Sequence, residues 1–294
     1  MMSARLIGGR EFDFEREVAV VAVINRTPDS FYDRGATFAL DRAVTSALRA
    51  AELGASWVDV GGVPFGRGPV VTTQDEIDRV VPLVSAIASA RHDIAISVDT
   101  NKAEVARAAL AAGASVINDT SGLGDPEMAE VIARNGAHVV ITHSVGPPRA
   151  EKPPPSYSDV IGEVRAFLVE RIHMAVLAGV ARDHVIIDPG HDLDKNTLHS
   201  LEITRRLDEI ADIGLPLLVA VSNKDFIGES IDRPPGQRLS GSLAAMTACI
   251  LRGARLVRMH DVAEAVDAAR MAEAILGMRG PARIEHNMHP THNV

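Results

Sequence analysis

The sequence predicts an α/β protein that forms a single (β/α)8 barrel. Three observations predict it. Short apolar segments alternate with helix-like segments eight times along the 294 residues. A Gly-Ala pair recurs just before several of the apolar segments, which is typical of helices that end in a left-handed glycine. The first apolar segment runs into Asn25-Arg-Thr-Pro28, whereas an open doubly wound sheet, the alternative architecture, carries a glycine-rich turn there.

The predicted strands are short, rich in β-branched residues and apolar throughout, as expected of strands that are buried on both faces. Eight consecutive strand–helix units close most simply into a barrel. In chain order the strands cover Val18–Asn25, Trp57–Gly61, Ile94–Asp99, Val116–Asp119, Ala137–His143, Val185–Asp188, Leu217–Ser222 and Leu256–His260.

Amphipathic spacing predicts helices between the strands. The proline-rich segment Gly146–Ser156 predicts an extended loop rather than a domain boundary, because the rhythm of strands and helices resumes after it. We expect residues 1–294 to form a single domain, with residues 280–294 as a flexible tail. The clearest helices are Leu40–Leu53, Gln74–Ala90, Lys102–Ala112 and Val160–Ala178, and the helix-ending pairs begin at Gly54, Gly113, Gly136 and Gly253.

Composition and charge argue against several classes of function. The net charge of −9 gives no electrostatic support for a nucleic-acid partner. No apolar run approaches the ~20 residues that span a bilayer, and the N-terminus lacks the apolar centre of a signal peptide. The single cysteine, Cys249, allows no disulfide within the chain. We therefore expect a cytoplasmic protein that binds neither nucleic acid nor membrane.

Polar side chains recur at the ends of the predicted strands, where the active site of a barrel enzyme lies. They include Asp99, Asn118 and Asp188. Helix capping explains one or two such positions. It does not explain Lys224 and Arg258, because cations do not cap helix N-termini. We therefore predict a binding site at this end of the barrel.

The chemistry of these residues predicts a ligand with two different parts. The two carboxylates and the amide suit a flat heterocycle that offers N–H donors and a carbonyl acceptor, and two carboxylates near one lysine are expected to keep that lysine charged. Lys224 and Arg258, with the loop of Asn25, suit an anion such as phosphate or pyrophosphate. Asn25 and Asp29 are oxygen ligands that hold Mg²⁺ only together with phosphate oxygens.

Six ordered segments resemble the motifs of the dihydropteroate synthase family and span about residues 18–275. Members of this family join 6-hydroxymethyl-dihydropterin pyrophosphate to p-aminobenzoate and release pyrophosphate with the assistance of Mg²⁺. Related barrels of corrinoid methyltransferases match the last two segments less well. The six segments are Asn25-Arg-Thr-Pro-Asp-Ser-Phe31, Ile96-Ser-Val-Asp-Thr100, Ile117-Asn-Asp119, Asp188-Pro-Gly190, Ser222-Asn-Lys-Asp-Phe-Ile-Gly228 and Val257-Arg-Met-His-Asp-Val262.

The resemblance implies a role for each residue that matches a motif. It implies a homodimer and a magnesium ligand at Asn25 when the enzyme is active. It also implies electrostatic catalysis by Arg258, Lys224 and Asn25. The pterin pocket is implied to consist of Asp99, Asn118, Asp188 and Lys224, and the pyrophosphate site of Asn25, Arg258 and His260.

The first two loops depart from the family pattern. Arg26 replaces a valine, and its long cation either binds an anion or disturbs the loop. The family segment Gly-Gly-Glu-Ser-Thr-Arg-Pro-Gly becomes Gly61-Gly-Val-Pro-Phe-Gly-Arg-Gly68. Pro64 and Phe65 thus replace the two hydroxyls, and Arg67 lies one residue late. Because successive Cα atoms are about 3.8 Å apart, this shift redirects the guanidinium.

Two later loops depart on the side of the second substrate. After the Asp-Pro-Gly motif the family lysine survives as Lys195, but a glycine-and-phenylalanine loop is replaced by one that carries Asp192 and Asp194. The family's Ser-Arg-Lys-Ser becomes Ser-Asn223-Lys-Asp225. In the family, the second serine begins a helix and receives the carboxylate of p-aminobenzoate. Asp225 places a like charge there, and we expect it to cap its own helix.

The departures cluster on the p-aminobenzoate side, whereas the pterin residues are kept. The leading hypothesis is a divergent dihydropteroate synthase homologue that is weakly active or inactive in folate synthesis, or that uses a second substrate without a carboxylate. One alternative is an ordinary active dihydropteroate synthase. Another is a non-catalytic protein that binds a pterin or serves as a scaffold.

Overall fold

The structure is a computed structural model that describes residues 4–26, 40–64, 68–146 and 153–287. An antiparallel hairpin of two short strands precedes eight parallel strands in these residues. The hairpin strands are β1 (Arg5–Ile7) and β2 (Arg10–Phe12), and the parallel strands are β3 (Ala19–Asn25), β4 (Trp57–Gly61), β5 (Ala95–Asp99), β6 (Val116–Asp119), β7 (His138–Thr142), β8 (Val185–Asp188), β9 (Leu218–Val219) and β10 (Leu256–Met259).

The helices lie between successive parallel strands, as the alternating pattern predicts. A short 3₁₀ turn, Arg182–His184, leads into β8. In the described ranges, no helix is long and apolar enough to cross a membrane. The α-helices are α1 (Leu40–Glu52), α2 (Thr73–Ala90), α3 (Ala103–Ala111), α4 (Met128–Arg134), α5 (Val160–Leu177), α6 (Thr197–Arg205), α7 (Leu207–Ala211), α8 (Asp225–Ile231), α9 (Leu239–Leu251) and α10 (Val262–Ile275).

The eight parallel strands close into a barrel, which confirms the predicted fold class. Hydrogen-bonded neighbours follow the order β8-β7-β6-β5-β4-β3-β10-β9. The ring closes between β8 and β9 through one isolated bridge, Ile187 to Leu217, where the Ile187 amide donates to the carbonyl of Pro216 at 3.0 Å. The β8–β9 junction is therefore the most weakly paired seam of the barrel.

The interior of the barrel is apolar at the N-terminal ends of the strands. Side chains from all eight strands form one buried cluster there with Ile7, Phe12 and Phe14 from the hairpin region. The Phe12 ring lies 5.7 Å from Phe14 and 6.1 Å from Trp57, measured between centroids. The hairpin thus covers the bottom of the barrel with apolar surface, which leaves the opposite end for polar side chains.

The hairpin is an element that the sequence analysis did not predict. Its strands have three residues each, which is too short for an alternating pattern to stand out. The turn between them is Gly8-Gly9, and both glycines have positive φ. Gly54 and Gly253 also have positive φ at the predicted helix ends, where a residue with a Cβ is strained.

Candidate functional site

The C-terminal ends of the strands bring most of the predicted site residues together. Asn25, Gly61, Asp99 and Asn118 lie opposite one another across four adjacent strands, β3 to β6. A Cβ at Gly61 would come within 2.8 Å of the Asn25 Oδ1 atom. Glycine at this position therefore lets the Asn25 amide lie across the neighbouring strand.

Asp59 links the residues of the site from one layer deeper in the barrel. Its Oδ2 atom accepts hydrogen bonds from Arg258 Nε at 2.6 Å and from Asn118 Nδ2 at 3.1 Å. Its Oδ1 atom accepts from Ser97 Oγ at 2.5 Å, and Ser97 accepts from the indole N–H of Trp57 at 2.7 Å. A fully buried carboxylate with these donors fixes the orientation of both Arg258 and Asn118.

The sequence analysis gave Asp59 no role. A usable signal existed, because a charged residue inside an otherwise apolar strand must have a buried partner. The partner, Arg258, is 199 positions away in the chain. No local spacing pattern connects two residues so far apart.

Arg258 lies between two carboxylates rather than in open solvent. Its second contact is from Nη2 to Asp99 Oδ2 at 3.3 Å. Burial disfavours the charge of Arg258, but Asp59 and Asp99 outweigh burial and raise the pKa of the guanidinium. Burial raises the pKa of Asp99 to about 7, although the Arg258 charge opposes that rise. The site thus combines a permanent cation with a carboxylate that titrates near neutral pH.

Asp188 ends β8 and Lys224 follows β9, and their charges act on one another. The Asp188 Oδ1 atom accepts from the Gly190 amide at 2.7 Å, and burial raises the pKa of Asp188 to about 6. The charges of Asp192, Asp188 and Asp99 favour the charged form of Lys224, in the direction that the sequence predicts. Burial has the larger effect, so the pKa of Lys224 is lowered overall.

Two buried oxygen atoms near these groups have no hydrogen-bond partner within the described residues. They are Asn118 Oδ1 and Thr142 Oγ1. Thr142 lies beside Asp188 in the register of β7 and β8. A buried acceptor without a donor costs about 1–3 kcal/mol. A ligand that supplies N–H or O–H donors at this place would recover that free energy.

The residues predicted to face an anion lie at the same end of the barrel. His260 follows β10, and its Nδ1 atom lies 2.9 Å from Ser222 Oγ. Asn25 ends β3 and offers one amide oxygen. In the described part of the chain, no group of three or more His, Cys, Asp or Glu side chains is arranged to hold a metal ion. The prediction that Asn25 and Asp29 hold Mg²⁺ only together with phosphate oxygens stays a prediction, because Asp29 lies outside the described residues.

The loops after β3 and β4 lie partly outside the described residues, and so do Asp29, Phe65 and Arg67. Pro64 is half-buried at the end of the described segment. The Arg26 Nη1 atom donates to the backbone carbonyls of Asp78 and Arg79 in α2, at 3.0 and 2.7 Å.

This contact of Arg26 has a cause in the sequence of α2. Pro82 lies inside the helix and has no N–H, so the carbonyl of Asp78, four residues earlier, lacks its usual helical donor. Arg26 supplies a donor to that carbonyl. Of the two roles that the sequence left open for Arg26, anion binding and disturbance of its loop, the described contacts show neither. They show an attachment to α2.

Asp225 does not cap its own helix, which corrects the expectation from the sequence. Its side chain is 80% exposed and its Oδ1 atom pairs with Arg238 Nη1 at 2.9 Å. The cap comes from Asp192 in the loop after β8. The Asp192 Oδ2 atom accepts from the amides of Asp225 and Phe226 at 2.7 and 3.3 Å. The first amides of α8 are therefore occupied by a carboxylate of the protein.

Asn223 takes a backbone conformation that favours asparagine. Its φ is +59°, a region in which asparagine and glycine are common and arginine is rare. Its side-chain Oδ1 atom accepts from the Gly236 backbone amide at 3.2 Å, and its backbone amide donates to Ser242 Oγ at 3.0 Å. Asn223 therefore stabilises the turn before α8, and the cation at this edge is Arg238, which donates to the Asn223 carbonyl at 3.1 Å.

Lys195 is a buried neighbour of the site whose environment the sequence did not predict. Its ammonium lies 2.9 Å from His143 Nδ1 and donates to the carbonyl of Leu193 at 2.8 Å. Burial lowers the pKa of Lys195 to about 7 and, with the nearby lysine charge, lowers that of His143 to about 3. The pair therefore joins the loop after β8 to His143, which follows β7.

Comparison with protein families places this geometry among pterin-binding proteins. A family model described as "Pterin binding enzyme" matches residues 21–260. The chain is 43% identical over 283 residues to the inactive dihydropteroate synthase 2 of Mycobacterium leprae (strain TN), covering 95% of this chain and 97% of that protein. It is 39% identical over 267 residues to the dihydropteroate synthase of Escherichia coli (strain K12), covering 90% and 94% respectively.

Solved structures give the same result for the fold. The dihydropteroate synthase of Yersinia pestis, crystallised in a sulfonamide drug complex, superposes with a TM-score of 0.89 at 36% identity. The match covers 94% of this chain and 100% of that one. The similarity therefore extends over most of the chain.

Proposed function

The chain belongs to the dihydropteroate synthase family of pterin-binding barrels, and we propose that it keeps the pterin half of the site while its second-substrate half has changed. The protein is then a divergent homologue that is weakly active or inactive toward p-aminobenzoate. The observation that carries the pterin half is the unpaired, buried Asn118 Oδ1 atom among Asp59, Asp99 and Arg258. A pterin offers the ring N–H and amino donors that such an acceptor needs.

The remaining pterin contacts follow from the same chemistry. Asp188 is a buried carboxylate with one oxygen fixed by the Gly190 amide, and it accepts hydrogen bonds from the donor edge of the heterocycle. Lys224, close enough to Asp188 and Asp99 for their charges to act on it, donates to a ring carbonyl or nitrogen. Arg258 presents its planar guanidinium, which Asp59 holds in place.

The leaving pyrophosphate is assigned to Asn25, Arg258 and His260. In an active member of the family, the bond between the exocyclic carbon and the pyrophosphate oxygen breaks as the arylamine nitrogen bonds to that carbon, and the amine then loses a proton. Asn25 would hold Mg²⁺ together with pyrophosphate oxygens. The ion neutralises charge on the leaving group when bound. Lys224 and Arg258 stabilise the same charge electrostatically, so no side-chain nucleophile is required.

The second-substrate half supports weak or absent turnover with p-aminobenzoate. In place of a hydroxyl and an arginine, the start of α8 presents the carboxylate of Asp225 and the amide of Asn223. Like charges about 4 Å apart repel by roughly 4 kcal/mol at an effective dielectric of 20. Because the Asp225 carboxylate is exposed and paired with Arg238, only a fraction of that repulsion acts on a substrate carboxylate, and a third of it weakens binding about tenfold.

One assay tests the proposal most directly. Purified protein is given 6-hydroxymethyl-dihydropterin pyrophosphate, p-aminobenzoate and Mg²⁺, and dihydropteroate is measured. We expect turnover far below that of ordinary enzymes. Turnover on the order of 1 per second would instead identify an active dihydropteroate synthase.

Calorimetry with the pterin alone tests the other half of the proposal. We expect saturable binding that Asn118→Ala weakens and Asn223→Ala leaves unchanged. No binding by the unmodified protein would contradict a kept pterin site. We also propose a homodimer in the cytoplasm, as the family resemblance implies, and sedimentation of the full chain tests the dimer.

A further inference from the structure

We propose that Thr142 is a specificity-determining residue whose hydroxyl forms a hydrogen bond with one polar atom of the bound heterocycle. The site then prefers a ring system that has a nitrogen or an oxygen at that point over one that has a C–H group. Thr142 lies outside the six segments that resemble the family motifs. The proposal rests on the proposed function, since it refines the ligand of the same pocket.

The Thr142 side chain points into the barrel. Along β7, Val140 belongs to the buried cluster inside the barrel, whereas Val139 and Ile141 belong to the cluster that packs the strands against the helices. Because side chains alternate between the two faces of a strand, Thr142 lies on the same face as Val140. Its register partner on β8 is Asp188. The Thr142 hydroxyl is therefore at the polar end of the barrel, beyond the apolar interior.

The hydroxyl of Thr142 is buried and unsatisfied. The residue is 1% exposed, and its Oγ1 atom has no hydrogen-bond partner among the described residues. The hydroxyl of Ser144, two residues later, instead donates to the carbonyl of Thr120 at 2.8 Å. A buried hydroxyl without a partner lowers the stability of the free protein. A ligand atom that completes the hydrogen bonds of Thr142 would recover that loss.

Thr142 lies near two groups that we assign to pterin recognition. Asp188 is its neighbour on β8. On β6, Asn118 pairs with Val140, so Thr142 lies two residues further toward the open end of the barrel, or about 7 Å along the strand. The Oδ1 atom of Asn118 is also unpaired in the described part of the chain. The two unpaired oxygens are thus spaced to contact different atoms of one fused ring system.

The chemistry of a hydroxyl defines what Thr142 distinguishes. A hydroxyl rotates to donate to a ring nitrogen or carbonyl, or to accept from a ring N–H. A C–H group offers neither interaction. A site built to form a hydrogen bond with its substrate rejects an analogue that leaves the protein group unpaired. Thr142 therefore selects for a polar atom at this point of the ring system.

Calorimetry with 6-hydroxymethylpterin tests the contact in two variants. Thr142→Val replaces the hydroxyl by a methyl group of similar size, and Thr142→Ser keeps a hydroxyl. We expect the dissociation constant to rise about tenfold in Thr142→Val and less than about threefold in Thr142→Ser. The control is Thr204→Val, whose lost hydroxyl already donates to the carbonyl of Ser200 at 3.0 Å. This control should leave the affinity for the pterin unchanged.

A panel of 6-hydroxymethylpterin analogues separates a direct contact from a change in the shape of the pocket. Each analogue lacks one polar atom of the ring system. We expect one analogue to bind the unmodified protein about tenfold more weakly than the parent pterin. Thr142→Val should bind that analogue and the parent pterin within about twofold of each other. The remaining analogues should lose affinity equally in both proteins.

Urea denaturation of the free proteins tests whether the hydroxyl is unsatisfied. We expect the midpoint of Thr142→Val to equal or exceed that of the unmodified protein, because no hydrogen bond is lost. A lower midpoint overturns the proposal. It is also overturned if Thr142→Val binds the pterin as tightly as the unmodified protein, or if every analogue loses affinity equally in both. Failure of 6-hydroxymethylpterin to bind the unmodified protein contradicts the proposed function instead, so the two failures are distinguishable.

Discussion

The two halves of the site differ in how their polar side chains are satisfied. In the pterin half, Asp59 and Arg258 form a buried ion pair, and Asn118 keeps a buried acceptor that no protein group in the described residues satisfies. In the second-substrate half, the polar groups of the chain bind one another. Asp192 accepts from an amide of α8, and Asn223 accepts from the amide of Gly236. The difference indicates that the first half is built to receive a ligand, whereas the second already holds carboxylates of its own.

The largest expected effect comes from the buried ion pair. Asp59→Asn leaves Arg258 without its closest counter-charge, and Asp59 is 1% exposed against 17% for Arg258. Because breaking a buried pair is strongly destabilising, we expect the free energy of unfolding to fall by about 3 kcal/mol, as measured by urea denaturation. The control is Asp225→Asn, whose 80% exposed carboxylate contributes about 0–1 kcal/mol. Equal decreases in the free energy of unfolding of the two variants would contradict the proposed difference between the two halves of the site.

The next effect concerns ligand binding rather than stability. Asn118→Ala removes the unpaired acceptor and a donor to Asp59. We expect the dissociation constant for the pterin to rise roughly 30-fold, or ~2 kcal/mol. Asn223→Ala, in the second-substrate half, should change the dissociation constant for the pterin by less than about twofold. Pterin affinity that is unchanged in Asn118→Ala would show that the ligand lies elsewhere.

Acidification should weaken pterin binding. The pKa of Asp188 is raised to about 6 and that of Asp99 to about 7. Both groups are ionised acceptors above these values and become protonated as the pH falls through them. We expect the affinity for the pterin to be highest near pH 8. Below the pKa of each carboxylate, protonation of that group should lower the affinity by up to about tenfold per pH unit. Titration calorimetry between pH 5 and pH 8 measures this, and Asp188→Asn should show a shallower dependence.

The smallest effect belongs to the first loop. Arg26→Ala removes the donor to the Asp78 and Arg79 carbonyls of α2. We expect the free energy of unfolding to fall by about 1 kcal/mol without a change in pterin affinity. Arg49→Ala is the control, because its exposed pair with Glu52 on α1 contributes less than about 0.5 kcal/mol. A loss of affinity for the pterin pyrophosphate in Arg26→Ala would point to anion binding instead.

The fold was predictable because its signals are local. Each strand is a continuous apolar segment, and Gly54 and Gly253 mark helix ends through their own conformation. The family motifs are likewise short contiguous segments. The hairpin escaped prediction because its strands are only three residues long and its stabilising contacts, to Trp57 and the strand ends, are distant in the chain.

The candidate site was predictable in its members but not in its contacts. Asp99, Asn118, Asp188 and Arg258 were identified by their position at strand ends. That Asp59 orients Arg258 depends on a contact over 199 positions, which no spacing reveals. The capping of α8 was assigned to Asp225 because local capping is the common case. The actual cap, Asp192, lies 33 positions earlier and reaches α8 only because the barrel places the two loops side by side.

The contact of Asp192 with α8 also stabilises the closure of the barrel. Strands β8 and β9 share one bridge, and Asp192, which follows β8, holds the start of α8, which follows β9. The same carboxylate therefore links the loop after β8 to the helix after β9, across the β8–β9 seam. A substitution that removes the Asp192 carboxylate from the α8 amides would also remove a contact across the most weakly paired seam of the barrel. Such a variant would then need a second, compensating change elsewhere along the β8–β9 seam.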